Sequence, residues 1–159
     1  MERFILDHSK WAVVGATAAT GLVLRNGASV TFVAGAVVAM VVARVLKRLI
    51  NQQRPKEAAW KSSEGMPSSH ACNLTYYACQ LTLVFGWGTP PAVAVQLAWA
   101  VLLAYRVAYR YHTKSQVAAG IVLGALLTLG WNRFVEAVQL NALVVNLVNQ
   151  TLGYTLLFH

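Results

Sequence analysis

Long apolar segments, separated by short polar ones, run along most of this chain. Most of the apolar segments are bounded by charged residues or by turn-forming Gly, Pro and Asn. They are Trp11–Leu24, Ala28–Ala43, Ser68–Phe85, Ala92–Tyr105, Val117–Trp131 and Val138–Phe158. A helix that crosses a bilayer needs about 20 largely apolar residues. The pattern therefore predicts an all-α, polytopic membrane helix bundle with five strong spans and a weaker sixth.

Details of the pattern refine three of these segments. The second segment is expected to continue as a helix through Lys47 to the neighbourhood of Arg54, where Pro55 disfavours helical backbone. The fifth carries Gly120 and Gly124 in a GxxxG spacing, which predicts a close packing face. The last is dotted with amide side chains, so it either spans weakly or lies on the membrane surface.

Composition supports a membrane protein and narrows its partners. The 159 residues are 57% hydrophobic and 11% charged, with a mean hydropathy of +0.52, whereas soluble domains carry about 25% charged residues. Thirteen Lys and Arg oppose five Asp and Glu. In so apolar a chain this excess favours anionic lipid headgroups or a phosphorylated substrate over nucleic acid. No repeat or composition break is visible, so residues 1–159 are read as one domain without a cleavable signal peptide.

Counting crossings brings most of the basic residues to one membrane face. The second span ends at the polar connection 51–66, the third span leaves that face and the fourth returns to it. The residues expected at that face include Lys47, Arg54, His70, Arg106 and His112. Two interpretations stay open here. The charges are topology anchors under the positive-inside rule, or they form a pocket for a multiply charged anion.

Two short motifs at this face favour the anion pocket. Lys47 and Arg54 are seven residues apart, nearly two helical turns. An ammonium and a planar guanidinium together make a good phosphate clamp. In the segment Pro67-Ser68-Ser69-His70, either serine suits the N-cap of the third helix. The free N–H groups of that helix's first turn would then attract an anion beside His70.

A third motif indicates a histidine whose ring is oriented by a neighbouring side chain. His112 and Gln116 are at i and i+4, so they share a face if the fifth helix begins near them. The glutamine oxygen can accept a hydrogen bond from one ring nitrogen, which fixes the tautomer and leaves the other nitrogen's lone pair directed outward. A histidine with such an orienting partner follows the logic of part of a catalytic triad.

The order K-x6-RP, PSxH and R-x5-H resembles the type 2 phosphatidic acid phosphatase superfamily, which also includes vanadium haloperoxidases. The resemblance covers Lys47 to about Gly124, with a motif core of about residues 44–124. Within it, GMPSSHA and YHTKSQVAAG are most similar to dolichyl-diphosphate phosphatases and to the plastid-type lipid phosphate phosphatases of plants and algae.

The resemblance implies a six-helix membrane core that hydrolyses a lipid phosphate or diphosphate, such as phosphatidate or dolichyl or polyprenyl diphosphate, without metal or cofactor. It implies that His112 is the nucleophile, forming a phosphohistidine, that His70 protonates the leaving oxygen, and that Gln116 orients His112. The residues implied to hold the phosphate oxygens are Lys47, Arg54, Ser68, Ser69 and Arg106. The membrane would be that of the endoplasmic reticulum or of a plastid.

Two departures from the family pattern accompany the resemblance. Tyr105 stands where most members have Ser, and Gln116 stands where most have Asp, although the most similar branches share the Gln. Two other functions stay open as alternatives. One is a non-catalytic subunit that keeps the fold, and the other is a vanadate-dependent haloperoxidase, which the hydrophobicity disfavours.

Overall fold

The computed structural model describes residues 27–58 and 63–152, and within them the protein is all-α, as the sequence predicts. A short 3-10 helix at Lys56–Ala58 accompanies five α-helices, and no strand occurs in the described ranges. The α-helices are α1 (Gly27–Ile50), α2 (Ser69–Phe85), α3 (Pro90–Ala108), α4 (Lys114–Ala137) and α5 (Leu140–Leu152).

Three of these helices are long and apolar enough to cross a membrane. They are α1, α3 and α4, with 24, 19 and 24 residues, and they correspond to the predicted second, fourth and fifth spans. The chain is therefore a multi-pass membrane protein. α2 has 17 residues and α5 has 13. The predicted first span, Trp11–Leu24, and the end of the predicted sixth lie outside the described residues, so the expected five strong spans plus a sixth are not confirmed.

The end of α1 differs from the sequence-based expectation. The helix stops at Ile50 instead of continuing to the neighbourhood of Arg54. Asn51 adopts a left-handed conformation (φ 49°), and its N–H donates to the carbonyl of Lys47 at 2.9 Å. Asparagine tolerates this conformation better than most residues and therefore closes helices. Lys47 lies in the last turn of α1, and Arg54 lies in the connection that follows.

The chain divides into a larger unit, Gly35–Trp131, and a smaller one formed by Met1–Ala34 and Asn132–His159. In the larger unit α2 and α3 form an antiparallel hairpin whose turn contains two left-handed glycines, Gly86 and Gly88. Hydrogen bonds link the two helices at successive levels. Trp99 Nε1 donates to Thr75 Oγ1 at 3.0 Å, and the amide of Gln96 donates to the Thr82 hydroxyl at 2.7 Å.

The GxxxG face predicted on α4 packs closely against α2. A Cβ atom on Gly120 would lie 2.5 Å from the carbonyl oxygen of Ser68, and one on Gly124 would overlap the carbonyl of Cys72. Both positions therefore require glycine for backbones to approach this closely. Because both contacts join residues in the same chain order, α4 and α2 run parallel.

α1 runs antiparallel to α2 in the larger unit. The Cys72 thiol lies 3.9 Å from the carbonyl of Ala39, and a Cβ on Gly35 would overlap the hydroxyl of Tyr76 further along α2. The C-terminal ends of α1 and α3 and the N-terminal ends of α2 and α4 consequently meet at one end of this unit. We call it the polar end, because all eight residues singled out from the sequence lie in or beside these helix ends.

The described part of the smaller unit is held by contacts between α1 and α5. The Thr31 hydroxyl lies 2.7 Å from Asn141 Oδ1, and Gly27 packs against the backbone of Asn141. None of the candidate site residues belongs to this unit.

Candidate active site

The junction between α3 and α4 holds His112 and Gln116 in the interior of the polar end, with exposed fractions of 2% and 1%. Thr113 precedes α4, and its hydroxyl accepts the N–H of Gln116 at 3.2 Å. In return, Gln116 Oε1 accepts the N–H of Thr113 at 3.2 Å. This reciprocal pair is a capping box, in which two N–H groups at the start of a helix are satisfied at once. The cap therefore also sets the position of the Gln116 side chain.

The backbone partners of the Gln116 amide identify which of its two ends is Oε1 and which is Nε2. Its Nε2 donates to the carbonyl of Gln53 at 2.9 Å and to Gln52 Oε1 at 3.1 Å. A carbonyl can only accept, and the N–H of Thr113 can only donate, so the orientation of the amide is fixed. His112 Nδ1 lies 3.1 Å from Gln116 Oε1. That nitrogen must carry a proton and donate it to the oxygen.

Arg54 fixes the other ring nitrogen of His112. Arg54 Nη1 lies 3.0 Å from His112 Nε2, and because a guanidinium has only donors, Nε2 accepts through its lone pair. The guanidinium also donates to the carbonyl of Tyr111 at 3.1 Å and to the carbonyl and hydroxyl of Ser63 at 2.8 and 3.0 Å. His112 is thus a neutral imidazole with its proton on Nδ1.

The surrounding charges favour this neutral form. Burial and the adjacent Arg54 guanidinium are the main causes that lower the pKa of His112, to about 3. The positive charges of Lys47 and Arg106 act in the same direction, whereas the hydrogen bond to Gln116 opposes them. The imidazole therefore keeps its Nε2 lone pair at neutral pH, as a nucleophile requires.

Two further cations are buried at the polar end. Lys47 in the last turn of α1 and Arg106 in the last turn of α3 are each 6% exposed. The Arg106 carbonyl accepts the N–H groups of Tyr111 and His112 at 3.1 and 3.3 Å. Its guanidinium carbon lies 5.3 Å from the centre of the Tyr111 ring, within cation–π distance. The ring of Tyr105 stacks on that of Tyr109, with ring centroids 4.0 Å apart.

The start of α2 contributes the remaining predicted residues. Ser68 is the N-cap, and its hydroxyl accepts the N–H of Ala71 at 3.3 Å. The N–H of Ser68 donates to the carbonyl of Gln116 at 3.0 Å, which fastens α2 to α4. Ser69 and His70 follow in the first turn of α2, and both are half-buried.

The structure thus places Arg54 and Gln116 in direct contact with His112, and it brings Lys47 and Arg106 near enough to act on the charge of the imidazole. Ser68 contacts the backbone of Gln116. Sequence reasoning missed several residues that hold this arrangement, namely Gln52, Gln53, Ser63, Tyr111 and Thr113. Only Thr113 carried a signal, because T-x-x-Q before an apolar run is a capping-box pattern. Within the described ranges, no three His, Cys, Asp or Glu side chains converge as metal ligands.

Comparison with known proteins confirms the resemblance. The chain is similar to lipid phosphate phosphatase epsilon 1, chloroplastic, of Arabidopsis thaliana, with 31% identity over 138 residues, which is 82% of this chain and 49% of the relative. It is also similar to dolichyldiphosphatase 1 of Dictyostelium discoideum, with 30% identity over 123 residues, covering 69% of this chain and 53% of the relative.

The chain spans about half the length of the curated relatives it matches. No solved structure matches it significantly. The family pattern of the PAP2 superfamily matches residues 28–139, a range that contains α1 from its second residue, all of α2 to α4 and the whole of the polar end. The chain therefore belongs to the PAP2 superfamily.

Proposed function

We propose that this protein is a membrane lipid phosphatase that hydrolyses a phosphate or diphosphate headgroup, with phosphatidate and polyprenyl or dolichyl diphosphate as its candidate substrates. The observation that carries the proposal is the state of His112, a buried neutral imidazole whose Nε2 lone pair is directed at a guanidinium. The names of its relatives agree with this chemistry, and the chloroplastic relative agrees with a plastid membrane as one of the two proposed locations, beside the endoplasmic reticulum. Helices α1 to α4 supply the catalytic core of the single domain.

In the first step, Nε2 of His112 attacks phosphorus as the bond from phosphorus to the leaving oxygen breaks. His70 donates its proton to that oxygen, and the product is a phosphohistidine. The Nδ1 proton stays on the ring. Gln116 Oε1 accepts a hydrogen bond from this N–H group and stabilises the positive charge that develops on the imidazole. Because phosphoryl transfer spreads charge over three oxygens, the cations contribute most of the stabilisation.

In the second step, water attacks the phosphohistidine while His70, now neutral, takes the water's proton. The bond between phosphorus and Nε2 breaks, and inorganic phosphate leaves. Lys47, Arg54 and Arg106 would bind the phosphate oxygens in both steps, together with the Ser68 hydroxyl and the backbone N–H of Ser69 at the start of α2.

Arg54 has two functions in this mechanism. Without substrate, its Nη1 donates to the nucleophilic nitrogen. When a phosphate arrives, that N–H must pass to a phosphate oxygen, which frees the lone pair at the moment when the target lies beside it. Ser63 and the Tyr111 carbonyl keep the guanidinium near His112 during this exchange.

Phosphate release from phosphatidate and from a polyprenyl diphosphate, measured with the purified protein in micelles, tests the proposal. We expect release from at least one lipid and loss of about 10⁴-fold or more in kcat in His112→Asn. In His70→Asn, acid-labile phosphoenzyme should accumulate from the diphosphate, since its leaving group needs little protonation while hydrolysis of the intermediate still needs a base. Release from neither lipid would instead favour a non-catalytic subunit.

A further inference from the structure

Gln52 is an exposed residue at the start of the connection after α1, yet its side chain reaches the interior hydrogen-bond network. Its Oε1 accepts the Gln116 Nε2–H at 3.1 Å. Its own backbone is fastened, because the N–H of Gly65 donates to the Gln52 carbonyl at 2.6 Å. A Cβ on Gly65 would overlap Gln116 Nε2. Glycine at position 65 therefore allows the connection before α2 to pack against the side chain at the start of α4.

We propose that Gln52 is a positioning residue for His112, acting through the Gln116 amide. The proposal rests on the function proposed above. Gln52 holds Nε2 of Gln116, which keeps Oε1 turned toward the imidazole and makes that oxygen a better acceptor for the Nδ1 proton.

The geometry forms a continuous chain of two hydrogen bonds across one amide. His112 Nδ1–H donates to Oε1 of Gln116, and Nε2–H of Gln116 donates to Gln52. Hydrogen bonds in such chains strengthen one another, because each polarises the group that makes the next. A neutral Gln116 gains from this help more than a carboxylate would, since an amide oxygen carries only a partial charge.

The charged groups around His112 make such help useful. Lys47 from α1, Arg54 from the connection after it and Arg106 from α3 all act on the imidazole as cations, and α2 supplies the titratable His70 in its first turn. When His112 attacks phosphorus, positive charge develops on a ring already surrounded by these cations. The Gln116 oxygen, with Gln52 behind it, is a negative dipole end that faces that charge.

The variants Gln52→Leu and Gln52→Glu test the proposal at pH 7. Leu removes the acceptor, so we expect kcat to fall about 3- to 10-fold, the usual effect of one lost hydrogen bond, with KM unchanged. In the proton NMR spectrum of the protein in micelles, the His112 Nδ1–H resonance should move upfield. Glu keeps an acceptor and adds charge, so it should restore kcat and move the same resonance downfield.

Gln53→Glu is the matched control. It adds the same charge one residue away, but Gln53 contacts Gln116 through its backbone carbonyl, which the substitution keeps. We expect it to move the resonance much less than Gln52→Glu does. Equal shifts in Gln52→Glu and Gln53→Glu would show that any nearby negative charge moves the resonance, and they would overturn the proposal. An unmoved resonance in Gln52→Leu would also overturn it.

The resonance is assigned by its loss in His112→Asn, and it needs no turnover. Wild-type protein that releases no phosphate would therefore refute the proposed function, while the spectra would still decide the role of Gln52. If Gln52→Leu does not fold, Gln52→Asn takes its place, because its shorter amide should lose the contact and show the same upfield shift. A wild-type resonance in Gln52→Asn would then overturn the proposal.

Discussion

Lys47 and Leu49 lie two residues apart in α1, and their burial is the reverse of what is usual in a soluble protein. The lysine is 6% exposed and the leucine 75% exposed. The same contrast runs through the larger unit. Arg106, His112 and Gln116 are buried at the polar end, whereas apolar side chains such as Leu126 cover the outer surfaces of the helices.

The difference shows what each region has as its solvent. The outer surface meets lipid, where an apolar side chain costs nothing and a charge is expensive. The polar end is a closed network in which hydrogen bonds and neighbouring dipoles must replace water around each group. Three measurements test whether this division controls activity and insertion.

Of these three measurements, the largest effect is expected from Lys47→Gln, which removes a buried cation that acts on His112. Loss of one group that stabilises the transition state typically costs about 10² to 10³ in kcat. Arg48→Gln is the matched control, because Arg48 follows directly in the chain but is exposed. We expect it to retain phosphate release. Similar losses in both variants would mean that the net charge of this helix end matters and that burial does not.

The next largest effect is expected from Leu126→Arg, which places a charge on the outer surface near the middle of α4. An arginine at the centre of a spanning helix costs about 2.5–3.5 kcal/mol for insertion. The fraction of protein recovered in membranes should therefore fall, as measured by carbonate extraction. Leu126→Ala is the control and should insert normally. Normal insertion of the arginine variant would contradict a lipid-facing surface at Leu126.

The smallest effect is expected from acid. Because the pKa of His112 is lowered to about 3, the imidazole of this proposed nucleophile stays neutral from pH 7 to pH 5, and kcat/KM should change less than about 2-fold through this group. For an imidazole with the usual pKa of about 6.5, the neutral fraction would fall about 25-fold over that interval. A steep fall between pH 7 and pH 5 would show that the network does not protect His112.

Much of this arrangement was predictable from the sequence, because it follows from the lengths of the apolar segments and from the number of membrane crossings between them. Apolar segment lengths give the helices, and the order of crossings gives the common end for Lys47, Arg106 and His112. Local rules add the Ser68 cap and the glycine contacts of Gly120.

The partners of Arg54 and of the Gln116 Nε2 group were not predictable, because they depend on the path of the connection between α1 and α2. That segment has no hydrophobic period. Where the structure describes it, at residues 51–58 and 63–68, its course is set by a left-handed Asn51 and by long-range hydrogen bonds, including that from Gly65 to Gln52. The expected helix toward Arg54 failed for this reason, since asparagine closed α1 first.

The hydrogen bond from Arg54 to His112 also bears on how the proposed phosphatase would avoid reacting with the neutral lipids that surround it. A guanidinium exchanges its hydrogen bond to a neutral nitrogen readily for one to a phosphate monoester or diphosphate. An uncharged lipid provides no anionic acceptor that would favour this exchange. The abundant neutral components of the bilayer therefore meet a nucleophile that is already occupied, and an imidazole-modifying reagent should label His112 faster in Arg54→Ala than in the wild type.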